Sequence, residues 1–168
     1  MRLFIVRHAP AGDKGQKAAW MASGKPDSQR PLSKEGREKM ERAAWGLAEA
    51  AGAVDLIATS PYDRALQTAE ILRGRLPVPL VKTDSLTPEA DPPAFAAWLK
   101  TRRERSILAV GHEPHLSCLI AWLCVGKAAP FMELKKGQAC LLEVAEPMPG
   151  GARMVWSLTP AQLRRLGK

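Results

Sequence analysis

The sequence predicts an α/β fold: a three-layer α/β/α sandwich with a mostly parallel central sheet and a C-terminal edge hairpin. Three observations carry this reading. Short apolar runs bounded by turn residues alternate with longer stretches of helical periodicity. Each of the first three runs stops at a polar cluster, as buried strands do. The pattern then changes, and the last two runs flank one compact turn.

The first three strands are expected at Leu3–Val6, Val54–Ala58 and Ser106–Val110. Between the first two, Met40, Ala43, Ala44, Leu47, Ala48 and Ala51 recur at the spacing of one helix face. Ser33 suits the N-cap of that helix and Gly52 its end. A second helix opens at Ser60-Pro61 and runs through Ala65, Leu66, Ala69 and Leu72 to Gly74. A third starts at Asp91-Pro92 and carries Phe95, Trp98 and Leu99. A fourth follows Pro114 and carries Leu116, Leu119, Ile120 and Leu123. Ala139–Val144 and Arg153–Leu158 flank the turn Glu146–Gly151 and read as the edge hairpin. A short basic helical tail closes the chain.

Residues 9–31 break the alternation. They are rich in Gly, Lys and Pro, where connections of about 4–6 residues are usual. Two readings stand: a disordered insertion, or a flexible active-site flap carrying Lys14, Lys17 and Lys25. With 168 residues and no linker, repeat or low-complexity tract, a single domain spanning 1–168 is expected.

Apolar residues make up 46% of the chain, which excludes wholesale disorder. Its three cysteines, Cys118, Cys124 and Cys140, have no CxxC spacing. Free thiols in a cytoplasm are therefore expected rather than a disulfide framework or zinc ribbon. The first apolar run is too short for a signal peptide or membrane span. The net charge is +8, and residues 1–47 hold ten Lys and Arg against five Asp and Glu. Such a balance fits a nucleic acid, an anionic surface, an anionic substrate or an acidic partner. Aromatic content of 5% with scattered Trp argues against base stacking on single strands.

Ligands of open α/β sheets bind at the carboxyl ends of the parallel strands. The first strand ends in Arg7-His8, the second in Thr59-Ser60-Pro61 with Arg64 one turn onward, the third in Gly111-His112. Two His and two Arg converging there form a phosphate site with a nucleophile. The Arg forks clamp phosphoryl oxygens, a neutral imidazole can attack phosphorus, and a second, protonated His can stabilise transferring charge. Metal binding competes for the same residues, since His112 and His115 are three apart. The intervening Pro114, however, makes this H-E-P-H rather than a helical HExxH motif. No metal and no cofactor are expected. GxxxxGK[ST] and GxSxG are both absent, which argues against a P-loop and an α/β-hydrolase elbow.

These motifs resemble a known family. Leu3–Ala9 is similar to the Arg-His signature of the histidine phosphatase, or phosphoglycerate-mutase-like, superfamily. Arg30–Gly36 resembles the opening of that family's first helix, Ser60–Ala69 its S-P-x-x-R-A-x-Q-T-A motif, and Val110–Pro114 its second-histidine motif. Leu86-Thr87-Pro88 and the ending Trp156–Pro160 point to the SixA-type phosphohistidine phosphatase branch. The resemblance implies that His8 is the nucleophile, passing through a phosphohistidine intermediate, and that Arg7, Arg64 and His112 bind the phosphoryl group.

Two departures matter. Ala9 stands where the signature has Gly, so the site could be narrower. The general acid of the wider superfamily has no clear counterpart: Glu89 is the candidate, with Glu113 and Asp91 behind it. A site without a strong acid would still cleave a P–N bond, whose imidazole leaving group can be protonated beforehand. A phosphoester needs a positioned acid. The expected substrate is therefore protein phosphohistidine, for instance on a His-containing phosphotransfer protein. A small phosphomonoester such as a sugar or nucleotide phosphate is the alternative, and a basic nucleic-acid-binding module stands behind both. No membrane partner is expected.

Overall fold

The computed structural model describes residues 1–12 and 16–167. Its strands are β1 (Arg2–Arg7), β2 (Leu56–Thr59), β3 (Leu80–Lys82), β4 (Ser106–Gly111), β5 (Ala139–Val144) and β6 (Ala152–Leu158). The helices are α1 (Gln16–Ala22), α2 (Lys34–Ala51), α3 (Asp63–Arg73), α4 (Pro92–Lys100), α5 (His115–Val125) and α6 (Pro160–Leu166). The strands form one sheet in the order β3-β2-β4-β1-β5-β6. The first four in that order are parallel, while β5 runs antiparallel to both β1 and β6.

Strand pleating sorts the apolar residues into two layers. Phe4, Val6, Ile57, Leu108 and Val110 pack with Met40 and Leu47 of α2, Leu72 of α3 and Leu163 of α6. Leu3, Ile5, Ala58, Ile107 and Ala109 pack on the other face with Phe95 and Leu99 of α4 and Leu119, Ile120 and Leu123 of α5. The expected three-layer sandwich and edge hairpin are thus present. The helix ends follow their capping residues. Ser33 Oγ accepts from Gly36 N–H at 2.9 Å, and Thr159 with Gln162 makes a reciprocal capping box on α6.

Four elements differ from the sequence expectation. Helix α3 opens at Asp63 with Tyr62 at its N-cap, not at Ser60-Pro61. Strand β2 starts at Leu56, because the Asp55 carboxylate accepts from the N–H groups of Arg105 and Ser106, each at 2.9 Å, and so serves as a connector. The short edge strand β3 was not expected; it follows Pro77-Val78-Pro79 and has no buried residue. Within residues 9–31 the chain forms α1 and a 3-10 turn at Asp27–Gln29, in place of an unstructured connection. Of the lysines expected on a flap there, Lys14 lies outside the described residues, Lys25 sits over the Trp20 ring, and Lys17 reaches the pocket described below. Among the described residues no helix is long and apolar enough to cross a membrane.

Helix α2 passes close under the segment that leaves β1. A Cβ added to Gly36 would lie 2.0 Å from the Pro10 carbonyl oxygen. Helix propensity alone favours alanine there by up to about 1 kcal/mol. The clash is with backbone, and overpacking of that kind costs about 1–3 kcal/mol, so it wins. Gly36→Ala is expected to lower the denaturation midpoint; a raised midpoint would show that residues 8–10 yield easily.

Candidate active site

The carboxyl ends of β1, β4 and β2 lie side by side, because the register pairs Arg7 with Gly111 and Thr59 with Val110. One further backbone bond extends each edge: His8 N–H donates to Gly111 O and Ser60 N–H to Val110 O, both at 3.0 Å. The chain leaves β1 toward α2 on one face and leaves β4 into α5 on the other. The crevice between the two strands is therefore a topological switch point. His8 and His112 meet there, their ring centroids 5.0 Å apart. A pocket of about 450 Å³ opens above them. The four residues singled out at the strand ends, Arg7, His8, Arg64 and His112, all line it.

His8 is held by both ring nitrogens. Nδ1 is 2.7 Å from the Ala9 carbonyl oxygen, which can only accept, so this nitrogen carries the proton. Nε2 is left with its lone pair and accepts from Arg64 Nε at 3.3 Å. Burial pushes the His8 pKa down to about 3, and the charges of Arg64, Arg7 and Lys136 push the same way against the Ala9 hydrogen bond. The ring is neutral at physiological pH. The expectation that Ala9 narrows the site is corrected: its methyl is buried in the cluster with α2 and α3, and its carbonyl orients His8.

His112 is also fully buried, and its Nε2 lies 2.9 Å from Ser60 Oγ. Burial first, then the neighbouring His8 and Arg64, push its pKa down to about 2. Both rings are therefore neutral in this arrangement. A phosphoryl dianion arriving beside His112 favours its protonated form. Nδ1 of His112 is buried without a partner among the described residues.

Arg64 reaches the site from the first turn of α3 and is buried. Its Nη1 donates to the Asp27 carbonyl at 2.8 Å and its Nη2 pairs with Asp27 Oδ2 at 3.0 Å. Asp27 in turn accepts from Arg30 Nε at 2.9 Å, while Arg30 Nη1 donates to Ala11 O at 2.6 Å. Burial raises the Asp27 pKa, but the Arg30 hydrogen bond and the charges of Arg64 and Arg30 outweigh it and hold the carboxylate ionised. Asp27 and Arg30 thus brace Arg64. The sequence reading did not assign them this role, because both depend on the 9–31 segment folding back over the site. Arg7 donates through Nη1 to the Leu134 carbonyl, and its Nε is buried without a partner among the described residues. Lys136 also lines the pocket and was missed. It lies in a loop far along the chain, and burial and the charges of Arg7, Arg30 and Lys17 lower its pKa.

The three acid candidates separate. Glu89 lines the pocket, is exposed, and accepts from the Tyr62 hydroxyl at 3.1 Å. Glu113 lines it too, but its carboxylate is taken up by Ser117 and Leu134. Asp91 precedes α4, faces His115 electrostatically and is not among the pocket-lining residues. His115 is buried with neither ring nitrogen partnered among the described residues, away from any ligand set with His112.

The profile of the histidine phosphatase superfamily (branch 1) matches residues 3–88. The chain is 28% identical to the phosphohistidine phosphatase SixA of Escherichia coli, over 98% of this chain and 97% of that one. It is 32% identical to an uncharacterized protein of Picosynechococcus over 81% of both. A solved structure of the protein histidine phosphatase SixA complexed with tungstate superposes with a TM-score of 0.80, at 27% identity, covering 97% of this chain and 99% of that one. The architecture is therefore the phosphoglycerate-mutase-like fold.

Proposed function

The chain belongs to the histidine phosphatase superfamily and is a phosphatase, and from that premise we propose that it removes phosphate from protein phosphohistidine with His8 as nucleophile. Nε2 of His8 attacks phosphorus while Arg7, Arg64 and His112 hold the phosphoryl oxygens. The P–N bond to the substrate histidine breaks, its electron pair stays on the substrate ring nitrogen, and that imidazole, protonated beforehand, leaves neutral. Water then attacks the phosphorus bound to His8. The new P–Nε2 bond breaks, inorganic phosphate departs, and His8 returns to its neutral state. Every group that this sequence calls on is a side chain or water.

One observation carries the choice of substrate. Among the described residues three carboxylates line the pocket, and each is already engaged: Asp27 by two arginines, Glu113 by Ser117 and Leu134, and Glu89 by Tyr62. An alkoxide leaving group needs a proton from a positioned acid, an effect worth about 10²–10⁴ in rate. An imidazole does not. Lys17 and Lys136 at the pocket supply positive charge beyond the phosphoryl clamp. They suit an acidic phosphoprotein such as a His-containing phosphotransfer protein. Cys118, Cys124 and Cys140 are free thiols, which fits a reducing cytoplasm.

The second reading is hydrolysis of a small phosphomonoester, with Glu89 released by Tyr62 to act as the acid. A panel assay separates the two. A phosphohistidine protein is expected to exceed phosphoserine peptides and sugar or nucleotide phosphates in kcat/KM by about 10²-fold or more. Equal turnover of phosphomonoesters, abolished by Glu89→Gln, would establish the second reading instead.

A further inference from the structure

We infer that Glu113 is a positioning residue of the phosphoryl site, setting Arg7 through the backbone of Leu134. This rests on the reading of Arg7 as a phosphoryl ligand. Glu113 directly follows His112, and its Oε1 accepts from Leu134 N–H at 3.1 Å and from the Ser117 hydroxyl at 2.8 Å. Its Oε2 accepts from Ser117 N–H at 3.3 Å. The carbonyl of the same Leu134 accepts from Arg7 Nη1. One residue therefore receives Glu113 on its donor side and Arg7 on its acceptor side. The Leu134 side chain is fully buried among α4 and α5 residues and anchors the Cα between that donor and that acceptor.

Among the described residues few other contacts hold the Arg7 guanidinium. Glu133 Oε1 is 3.5 Å from Nη1 on an exposed side chain, a contact worth little in water. The Leu134 carbonyl is thus the main anchor that aims the fork. The loop beyond it is tied at its far end: Gly137 N–H donates to the carbonyls of Arg7 and His8, and Arg7 N–H donates to Gln138 O. Lys136 stands between these two ties and is placed at the pocket by them.

Capping of α5 does not account for the arrangement. A cap needs only the Ser117 contacts, one turn away. The bond to Leu134 N–H spans 21 residues and satisfies no helix donor. A carboxylate here serves helix and loop together, and so couples the strand end that carries His112 to the one that carries Arg7.

The experiment is a double-mutant cycle read by calorimetric binding of inorganic phosphate, with thermal unfolding followed alongside. Glu113→Ala is expected to weaken phosphate binding about tenfold, the size of one lost hydrogen bond to a charged group. Glu113→Gln is expected to stay within about threefold, since its amide oxygen still accepts from Leu134 N–H. Ser117→Ala, which removes only the helix-side hydroxyl, should do the same. Glu113→Asp keeps a charge at the start of α5 with too short a reach, and should bind phosphate like the alanine variant while unfolding like the wild type. In an Arg7→Ala background, Glu113→Ala should change nothing further, because coupled residues are not additive. Unchanged binding in both Glu113→Ala and Glu113→Asp overturns the inference, as do effects of Glu113→Ala and Arg7→Ala that multiply. Arg7→Ala with undiminished phosphate affinity overturns instead the assignment of Arg7 on which it rests.

Discussion

Replacing His8 by alanine is expected to reduce phosphohistidine turnover by about 10⁴-fold or more, the scale seen when a covalent nucleophile is removed. The expectation follows from the state of its ring. Nδ1 is committed to the Ala9 carbonyl, so Nε2, whose lone pair accepts from Arg64 Nε, is the nitrogen left to attack once a phosphoryl group draws that donor away. With a pKa near 3 the ring does not need to lose a proton before attacking, and its contribution should be flat in pH from about 8 down to 5. Rapid quenching with ³²P-labelled phosphoprotein should trap an acid-labile, alkali-stable label on residue 8 in the wild type and none in His8→Ala. The variant should still bind inorganic phosphate, because Arg7, Arg64 and His112 remain. Label found on His112 instead would reassign the nucleophile.

The convergence of Arg7, His8, Arg64 and His112 on one pocket was legible because they sit where local pattern and topology agree. Each ends or follows a strand whose apolar run is unmistakable, and β4 between β1 and β2 forces the three ends together. What escaped depends on contacts distant in sequence. Helix α1 has no acidic first turn and mostly exposed side chains, so periodicity does not announce it. Strand β3 is three residues long at a sheet edge. Asp27 reads as a turn residue until Arg64, 37 positions away, is seen to donate to it. Glu113 reads as a weak acid candidate until Leu134 is seen to occupy it. In each case the determining partner lies on another element, and composition or spacing around the residue carries no trace of it.

The burial that keeps His8 ready to attack should also make the protein acid-sensitive. His8, His112 and His115 are all buried, with pKa values pushed by burial to about 3, 2 and 4. In the unfolded chain each returns to about 6.5. Above that value neither state binds these protons, and the stability is fully present. As pH falls from about 6.5 toward 4, the unfolded chain takes up three protons that the folded one refuses, so stability is lost with falling pH. Each histidine contributes about 1.4 kcal/mol per pH unit in this window, or roughly 6 kcal/mol for the three between pH 7.5 and 5. That is comparable with the whole stability of an ordinary protein, about 5–15 kcal/mol. Asp27, whose carboxyl is held below its usual value, acts in the same direction only below about pH 4. Urea denaturation at pH 7.5 and 5 should show the loss directly. His115→Leu should shrink the difference by about 2 kcal/mol, since His115 carries its share without touching the pocket. Stability that stays level between these pH values would mean that all three histidines accept protons in the folded state. The neutral His8 nucleophile would have to be abandoned with it.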